Sequence, residues 1–198
     1  MDSAALLAQA ISIAYAAGLN LPATVAILGL VQRAGWVQTL PGALGVLGNS
    51  WIIGLALLFV AVDFVILLVP GVASLWETVL TTVRPLAGVV LAVATVIHLD
   101  TTYIVAAALL GGGLAITTHG AKLGVRYAVD TLPEPITNFA VNVGELATIS
   151  AIGLAMWRHP YITLAAACVV LALLILLVRR VWRTIRAAFR VGAEDIVI

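Results

Sequence analysis

YITLAAACVVLALLILLV is the sequence of residues 161–178, and none of these side chains is charged. The hydrocarbon core of a bilayer is about 30 Å thick, so about 20 helical residues are needed to cross it. A second apolar run, WIIGLALLFVAV, occupies residues 51–62. Both runs are continuous, whereas the strands of a transmembrane barrel alternate apolar and polar residues. The two runs therefore predict membrane-spanning α-helices.

The composition of the whole chain agrees with this interpretation. Of its 198 residues, 63% are hydrophobic and 10% are charged, whereas a soluble domain carries about 25% charged residues. A soluble fold of this size could not cover so much apolar surface, which excludes a soluble enzyme, a disulfide-rich secreted domain and a disordered chain. We predict one integral membrane domain over residues 1–198, an all-α polytopic transmembrane bundle of about six to eight membrane segments.

Some of these segments are expected to be short or broken. Gly18, Asn20 and Pro22 interrupt the apolar residues 3–34, so we expect a helix break at Asn20. The run Gly111 to Gly113 fits close packing between helices better than a break.

The two halves of the chain also resemble each other weakly. Residues 1–84 and 86–190 each run from short, glycine-interrupted segments to a long helix, as in the internal repeats of many transporters. A chain of this length encloses little volume by itself, so we also expect a homo-oligomer.

The end of the last helix is basic. Five of the ten basic residues lie in this part: Arg179, Arg180, Arg183, Arg186 and Arg190. Residues 179–190 predict a basic amphipathic extension, with the arginines on the phosphates of anionic lipids. Because cytoplasmic ends collect Lys and Arg, we expect a cytoplasmic C-terminus. The bilayer accounts for these arginines, so no nucleic-acid partner is expected.

The most polar membrane segment is THGAKLGVR, residues 118–126. His119, Lys122 and Arg126 recur at steps of three and four residues, with Asp130 four residues further, so all four share one helix face. Two cations and a titratable imidazole in an apolar environment would attract an anion such as a phosphate or a carboxylate. The alternative is structural: Arg126 pairs with Asp130, and Lys122 extends to the membrane surface.

An acid inside a membrane span is costly unless it is paired or hydrated, so each such acid is a candidate site. Asp63 lies thirteen residues after Ser50, in the middle of a predicted span. It either carries a proton or is the counter-ion of Arg84, Lys122 or Arg126, and the ion pair is the preferred interpretation. Glu77 is a further acid, in the amphipathic residues 72–83.

Glu145 lies near the start of another span. Asn138 and Asn142 precede it on the same helix face and could line a polar path with it. Where the helix breaks at Asn20, the exposed backbone groups could bind an ion.

Motifs of known chemistry are absent from the sequence. It contains no HExxH, GxSxG or phosphate-binding Walker motif, and its three histidines are too dispersed for a zinc or haem site. Cys168 is the single cysteine, so it is expected to be a small buried apolar residue. We therefore predict no metal, no cofactor and no enzymatic activity.

Five segments carry a resemblance to a known family. They are AGLNLPATVAILGL (17–30), DFV…P (63–70), LWETVLTTVRPLAG (75–88), THGAKLGVR (118–126) and LPEPITN (132–138). The chain resembles the Domain of Unknown Function 4126 family of small bacterial multi-spanning membrane proteins, most specifically in VRPLAG and in H-x-x-K…EP-x-x-N. Members carry further charged residues just after the acid at 63, where this chain has Ile66 and Leu67. The resemblance implies a helical membrane protein whose polar residues form a shared site, and it implies no activity.

These observations lead to one preferred function and two alternatives. The preferred function is a small transporter or channel-like permease for a polar or anionic solute. The solute would be held near His119, Lys122, Arg126 and Arg84, with Asp63 or Glu145 balancing charge or carrying a proton. The alternatives are a membrane scaffold or assembly factor whose buried charges are structural pairs, and a lipid-handling protein.

Overall fold

The structure, a computed structural model, describes residues 2–69, 71–130 and 135–194, with the backbone alone for residue 135 and residues 184–194. All regular structure in these ranges is helical. The helices are α1 (Ser3–Leu19), α2 (Leu21–Arg33), α3 (Ser50–Ile66), α4 (Val72–Val79), α5 (Val83–Val96), α6 (Thr101–Ala106), α7 (Gly112–Val129), α8 (Pro135–Ala155) and α9 (Pro160–Glu194). A 3₁₀ helix, Gly42–Gly48, precedes α3, and a π-helical turn, Ala107–Gly111, joins α6 to α7.

Three helical segments of the described chain are long and apolar enough to cross a membrane. They are Thr101–Val129, Ile136–Ala155 and Pro160–Arg183. Two bent pairs raise the number to five if each pair is one span: the 3₁₀ helix with α3, bent by 78°, and α4 with α5, bent by 49°. The prediction of a helical membrane protein is thus confirmed, but the count of six to eight segments is not. The weak internal repeat stays a prediction.

Helices α1 and α2 form a hairpin inside the bundle instead of two further spans. They have 17 and 13 residues, and a single residue, Asn20, separates them. The hydroxyl of Tyr161, at the start of α9, donates to Asp2 just before α1 (3.1 Å), and Arg33 at the end of α2 donates to Ser50 at the start of α3. Trp36, just after α2, lines a cleft with Arg158, just before α9. Both outer ends of the hairpin therefore lie at the same end of the bundle, which we call the hairpin end.

Helix α1 is the central helix of the protein. Twelve of its 17 residues are buried, and half of these are alanine, so neighbouring helices can approach closely. At Gly18, an added Cβ would lie 2.6 Å from the carbonyl oxygen of Ala115 in α7. At Gly111 it would lie 2.9 Å from the Cβ of Ala92 in α5. Small residues thus bring α1, α5 and α7 into contact.

The predicted packing role of the glycine run holds at two of its three positions. An added Cβ at Gly111 or Gly112 would meet α5, at Ala92 and at Val89 respectively. At Gly113 it would meet nothing within 4 Å, because this residue points away from the bundle.

Replacing Gly18 with alanine should lower the free energy of unfolding by about 1–3 kcal/mol, because the new methyl group meets backbone that cannot easily move. Thermal unfolding in detergent measures the effect. Gly113→Ala is the control: its methyl group enters open space, so a helix-stabilising change of up to about 1 kcal/mol is expected. Equal melting of the Gly18→Ala variant and the wild type would contradict the close contact.

The structure of α9 contradicts the predicted burial of Cys168 and does not test the predicted lipid contacts of the C-terminal arginines. Cys168 is exposed, not buried, because α9 faces the bundle with Thr163, Ala167 and Leu171, and Cys168 lies beside that face. The helix continues to Glu194, with the side chains of Arg179 and Arg183 exposed. The predicted lipid contacts of Arg186 and Arg190 lie outside the described side chains.

Candidate functional site

The helix break predicted at Asn20 is present. The side chain of Asn20 caps α2 and also binds two carboxylates. Asn20 has an extended backbone (φ −153°, ψ 105°), and its Oδ1 accepts a hydrogen bond from Ala23 N (3.0 Å), which caps α2. Its Nδ2 donates to Asp63 Oδ2 (2.6 Å) and to Glu145 Oε1 (2.9 Å). One amide therefore starts a helix and bridges two carboxylates from α3 and α8.

The carbonyl of Leu19, at the end of α1, binds two cations. It accepts hydrogen bonds from Lys122 Nζ (2.6 Å) and from Arg84 Nη1 (2.7 Å). The last carbonyls of a helix lack partners within the helix and carry its negative dipole charge. A lysine of α7 and an arginine of α5 thus satisfy the end of α1 in the interior of the bundle.

Arg84 joins two of the three buried acids. Its Nη1 donates to both oxygens of Glu77, at 2.9 and 2.7 Å, and its Nη2 donates to both oxygens of Asp63, at 3.1 Å. Asp63 also accepts from Trp76 Nε1 (2.6 Å). The preferred interpretation of Asp63, an ion pair, is confirmed with Arg84 as the counter-ion.

Lys122 joins Glu77 to the third acid. Its Nζ lies 2.8 Å from Glu77 Oε1 and 2.7 Å from Glu145 Oε1. The ammonium group donates hydrogen bonds to Glu145 and to the carbonyl of Leu19, and it forms an ion pair with Glu77. A closed ring of side chains linked by hydrogen bonds and ion pairs results, made of Asp63, Arg84, Glu77, Lys122, Glu145 and Asn20.

Arg126 extends the ring along α8. Its Nη2 lies 3.3 Å from Glu145 Oε2 and donates to Asn142, and its Nη1 donates to Asn138 Oδ1 (3.4 Å). Asn142 Nδ2 in turn donates to the carbonyl of Phe64 in α3 (3.2 Å). The face of Asn138, Asn142 and Glu145 predicted from their spacing is thus occupied by an arginine of α7.

We call this set the charge network: Asp63, Glu77, Glu145, Arg84, Lys122 and Arg126, with Asn20 in the ring. The three acids and three bases give a formal charge of zero, and their exposures range from 0% to 8%. Removing six charges from water is costly, and only mutual pairing and full hydrogen bonding offset that cost. Net neutrality is therefore a condition for this core to be stable.

His119 lies beside the charge network and has an unused ring nitrogen. It is 1% exposed, and its Nε2 is 3.2 Å from Thr81 Oγ1. Its Nδ1 lies 3.9 Å from Glu77 Oε2 and has no hydrogen-bond partner among the described residues. The imidazole could therefore donate a hydrogen bond to Glu77 only with a proton on Nδ1, in the neutral or the charged form, and with a slight movement towards it.

All nine residues predicted to form the solute site converge here. Eight take part in the hydrogen bonds just described, and His119 lies next to them: Asn20, Asp63, Arg84, Lys122, Arg126, Asn138, Asn142, Glu145 and His119. The predicted set omits Glu77, which binds both Arg84 and Lys122. Its sequence position identifies it as an acid in an amphipathic segment, but α4 and α5 are bent by 49°, so its spacing from Arg84 does not predict that the two meet.

The alternative interpretation of the polar face of α7, in which Arg126 pairs with Asp130 and Lys122 extends to the membrane surface, is wrong. Arg126 turns towards α8, and Asp130 accepts instead from the backbone N–H of Ser74 at the start of α4 (3.2 Å). Lys122 is 4% exposed and does not reach the membrane surface, because two acids and a helix end surround its ammonium group. In the part of the chain that the structure describes, no three His, Cys, Asp or Glu side chains are placed to hold a metal ion.

Comparison with known proteins gives one family. The model described as Domain of unknown function (DUF4126) matches residues 7–180, a range that includes the whole charge network. The comparisons with curated proteins and with solved structures found no match. Because the match covers most of the chain, the protein belongs to the DUF4126 family, as its motifs predicted.

Proposed function

We propose that the protein is a small permease that carries a polar or anionic solute together with a proton through the charge network. The observation that carries this proposal is the tip of the α1–α2 hairpin, which ends inside the bundle and binds four of the six side chains of the charge network. Non-helical backbone at membrane depth occurs where it is buried in protein or lines a path, and transporters bind solutes at such broken helices.

The energetics of the charge network favour an active role over a purely structural one. Buried ion pairs add little stability, and apolar residues of similar volume are often as good or better. Ionisable groups inside a membrane protein are therefore expected where their charge is used. The unused Nδ1 of His119, next to Glu77, adds a group that can take up a proton.

Charge balance suggests how a proton and an anion would move together. Glu145 pairs with both Lys122 and Arg126, while Glu77 also pairs with Lys122. An anion that binds these cations must take the place of Glu145, which requires that this carboxylate be neutralised first. A proton on Glu145 does this, and at 8% exposure it is the most accessible of the three acids. Binding one proton and one monovalent anion leaves the charge network neutral, so the coupled step carries no net charge into the bundle.

The distribution of arginines between the two ends of the bundle suggests how the protein is oriented in the membrane. Arg179, Arg180 and Arg183 lie at the opposite end of the bundle from Arg33 and Arg158. By the bias of positive residues towards the cytoplasm, we infer a cytoplasmic C-terminus and a bacterial inner membrane. Contact of these arginines with anionic lipid and assembly into a homo-oligomer belong to the same proposal.

Replacing Glu145 with glutamine tests the coupling. Glutamine imitates a protonated acid, and the excess positive charge that it leaves is neutralised when an anion binds. The variant, prepared with an anion present, should therefore still exchange anion for anion across proteoliposomes but should lose proton-driven uptake. Anion release and internal pH are recorded together over a panel of inorganic and organic anions. Asp100→Asn, at an exposed acid, is the matched control and should keep both activities.

Two results would contradict the proposal. Proton-driven uptake that is unchanged in the Glu145→Gln variant would exclude Glu145 as the proton carrier. No flux by the wild-type protein above empty liposomes would favour a second candidate, a membrane scaffold or assembly factor. One observation supports that candidate: every charged group of the network is paired and nearly inaccessible in the described state.

A further inference from the structure

A polar cleft opens at the hairpin end, far from the charge network. It has a volume of about 300 Å³ and lies between Gly35 and Trp36, after α2, and Leu154, Trp157 and Arg158, at the end of α8. The guanidinium of Arg158 is exposed. The indole Nε1 of Trp157 is buried and has no hydrogen-bond partner among the described residues. The cleft therefore offers a positive charge, and one of its lining residues, Trp157, holds an N–H donor without a partner just beneath the surface.

An apolar cleft of about 280 Å³ continues from the polar one. It lies between α2 and α8, where Ile27, Leu30 and Ala34 face Ser150 and Leu154. Trp36 and Leu154 line both clefts, so the two lie side by side, and together we call them the groove, with a polar head and an apolar tail. Leu30 is 43% exposed, and the tail therefore opens sideways towards the bilayer.

We propose that this groove binds one anionic glycerophospholipid from the leaflet at the hairpin end. Its phosphate would accept hydrogen bonds from Arg158 and from Trp157 Nε1, and one acyl chain would lie between α2 and α8. Tryptophans at this depth are typical of the membrane interface, where headgroups lie. The sideways opening of the tail selects a lipid over a soluble anion.

The headgroup decides which lipid binds. An acyl chain gains little by leaving the bilayer for an apolar groove, because both environments are equally apolar. The selectivity must therefore come from Arg158 and Trp157, which favour a lipid with net negative charge over a zwitterionic one. This site is separate from the permease proposal, and neither depends on the other.

The test reconstitutes the full chain in nanodiscs of phosphatidylcholine with a minor fraction of phosphatidylglycerol and counts the retained lipid by native mass spectrometry. The wild-type protein should retain one phosphatidylglycerol. Arg158→Gln should weaken its binding about fivefold, as expected for one cation at a lipid surface. Trp157→Phe, which removes the N–H and keeps an aromatic ring, should weaken it less. Leu154→Trp should block the groove.

The matched control is Arg33→Gln, which removes another exposed arginine at the same end of the bundle whose partner is Ser50. This variant should retain phosphatidylglycerol as the wild type does. Equal retention by the Arg158→Gln variant, or equal binding of the two lipids, would overturn the proposal. Displacement by millimolar inorganic phosphate would also overturn it, because the site would then be one for a soluble anion.

Discussion

Lys122→Met is expected to lower the free energy of unfolding by about 3–5 kcal/mol, the usual cost of leaving a buried charge without its partner. The ammonium group of Lys122 lies within 2.8 Å of both Glu77 and Glu145 and donates to Leu19. Methionine fills a similar volume but carries no charge, so one excess negative charge is left in the interior. Thermal unfolding in detergent should show a large fall in melting temperature.

A second substitution separates charge from packing. In the double variant Lys122→Met with Glu145→Gln, one positive and one negative charge are removed together, and the charge network returns to neutrality. We expect most of the lost stability to be recovered. Arg183→Met removes an exposed cation from α9 and should change the stability by less than about 0.5 kcal/mol. If the double variant is no more stable than Lys122→Met, the role of Lys122 is not electrostatic.

Asn20→Asp is expected to be about as destabilising as Lys122→Met, although it replaces only an amide group by a carboxylate. The amide nitrogen lies 2.6 Å from Asp63 Oδ2 and 2.9 Å from Glu145 Oε1. The substitution replaces it by a carboxylate oxygen, so a third carboxylate lies next to these two. Its remaining oxygen can still cap α2 at Ala23, so any loss comes from repulsion at the tip of the hairpin. We expect a loss of roughly 3–5 kcal/mol at neutral pH and no solute flux.

The chain provides a matched control for this substitution. Asn49 also caps a helix: its Oδ1 accepts from Trp51 N (2.9 Å) at the start of α3, but it is exposed. Asn49→Asp should leave the stability unchanged or slightly higher, because aspartate is a good cap and favours a helix N-terminus. Equal effects of the two substitutions would mean that the carboxylates around Asn20 do not matter.

The predictions for Lys122 and Asn20 also bear on function. If both depend on neutrality, then any step that adds a proton to an acid of the charge network must be matched by a negative charge. This is the physical basis of the proposed coupling between a proton and an anion. A scaffold would need the same neutrality for stability, but it would show no flux.

Features that depend on residues close together in sequence could be predicted. The apolar runs gave the helical membrane fold, because each run is long enough to cross a bilayer by itself. Gly18, Asn20 and Pro22 gave the break, since Asn is a good helix cap and Pro fits the first turn. The steps between His119, Lys122 and Arg126 gave one polar face of α7.

The number of spans could not be predicted in the same way. Hydropathy treats α1 and α2 as two apolar segments, but their short lengths and the contacts of Asp2 and Arg33 at one end make them a hairpin. Whether a short apolar helix crosses or returns depends on the helices around it. This information lies in packing and not in the segment's own composition.

By itself, the sequence determined that this protein is a bundle of membrane helices, that α1 breaks at Asn20, and that several buried polar groups need partners. The tertiary structure alone decided which partners they have: Arg84 with Asp63 and Glu77, and Lys122 with Glu77 and Glu145. The reason is geometric. Pairing requires charges on five different helices to reach the same depth and face the same axis, and no local pattern fixes the relative depth or rotation of separate helices.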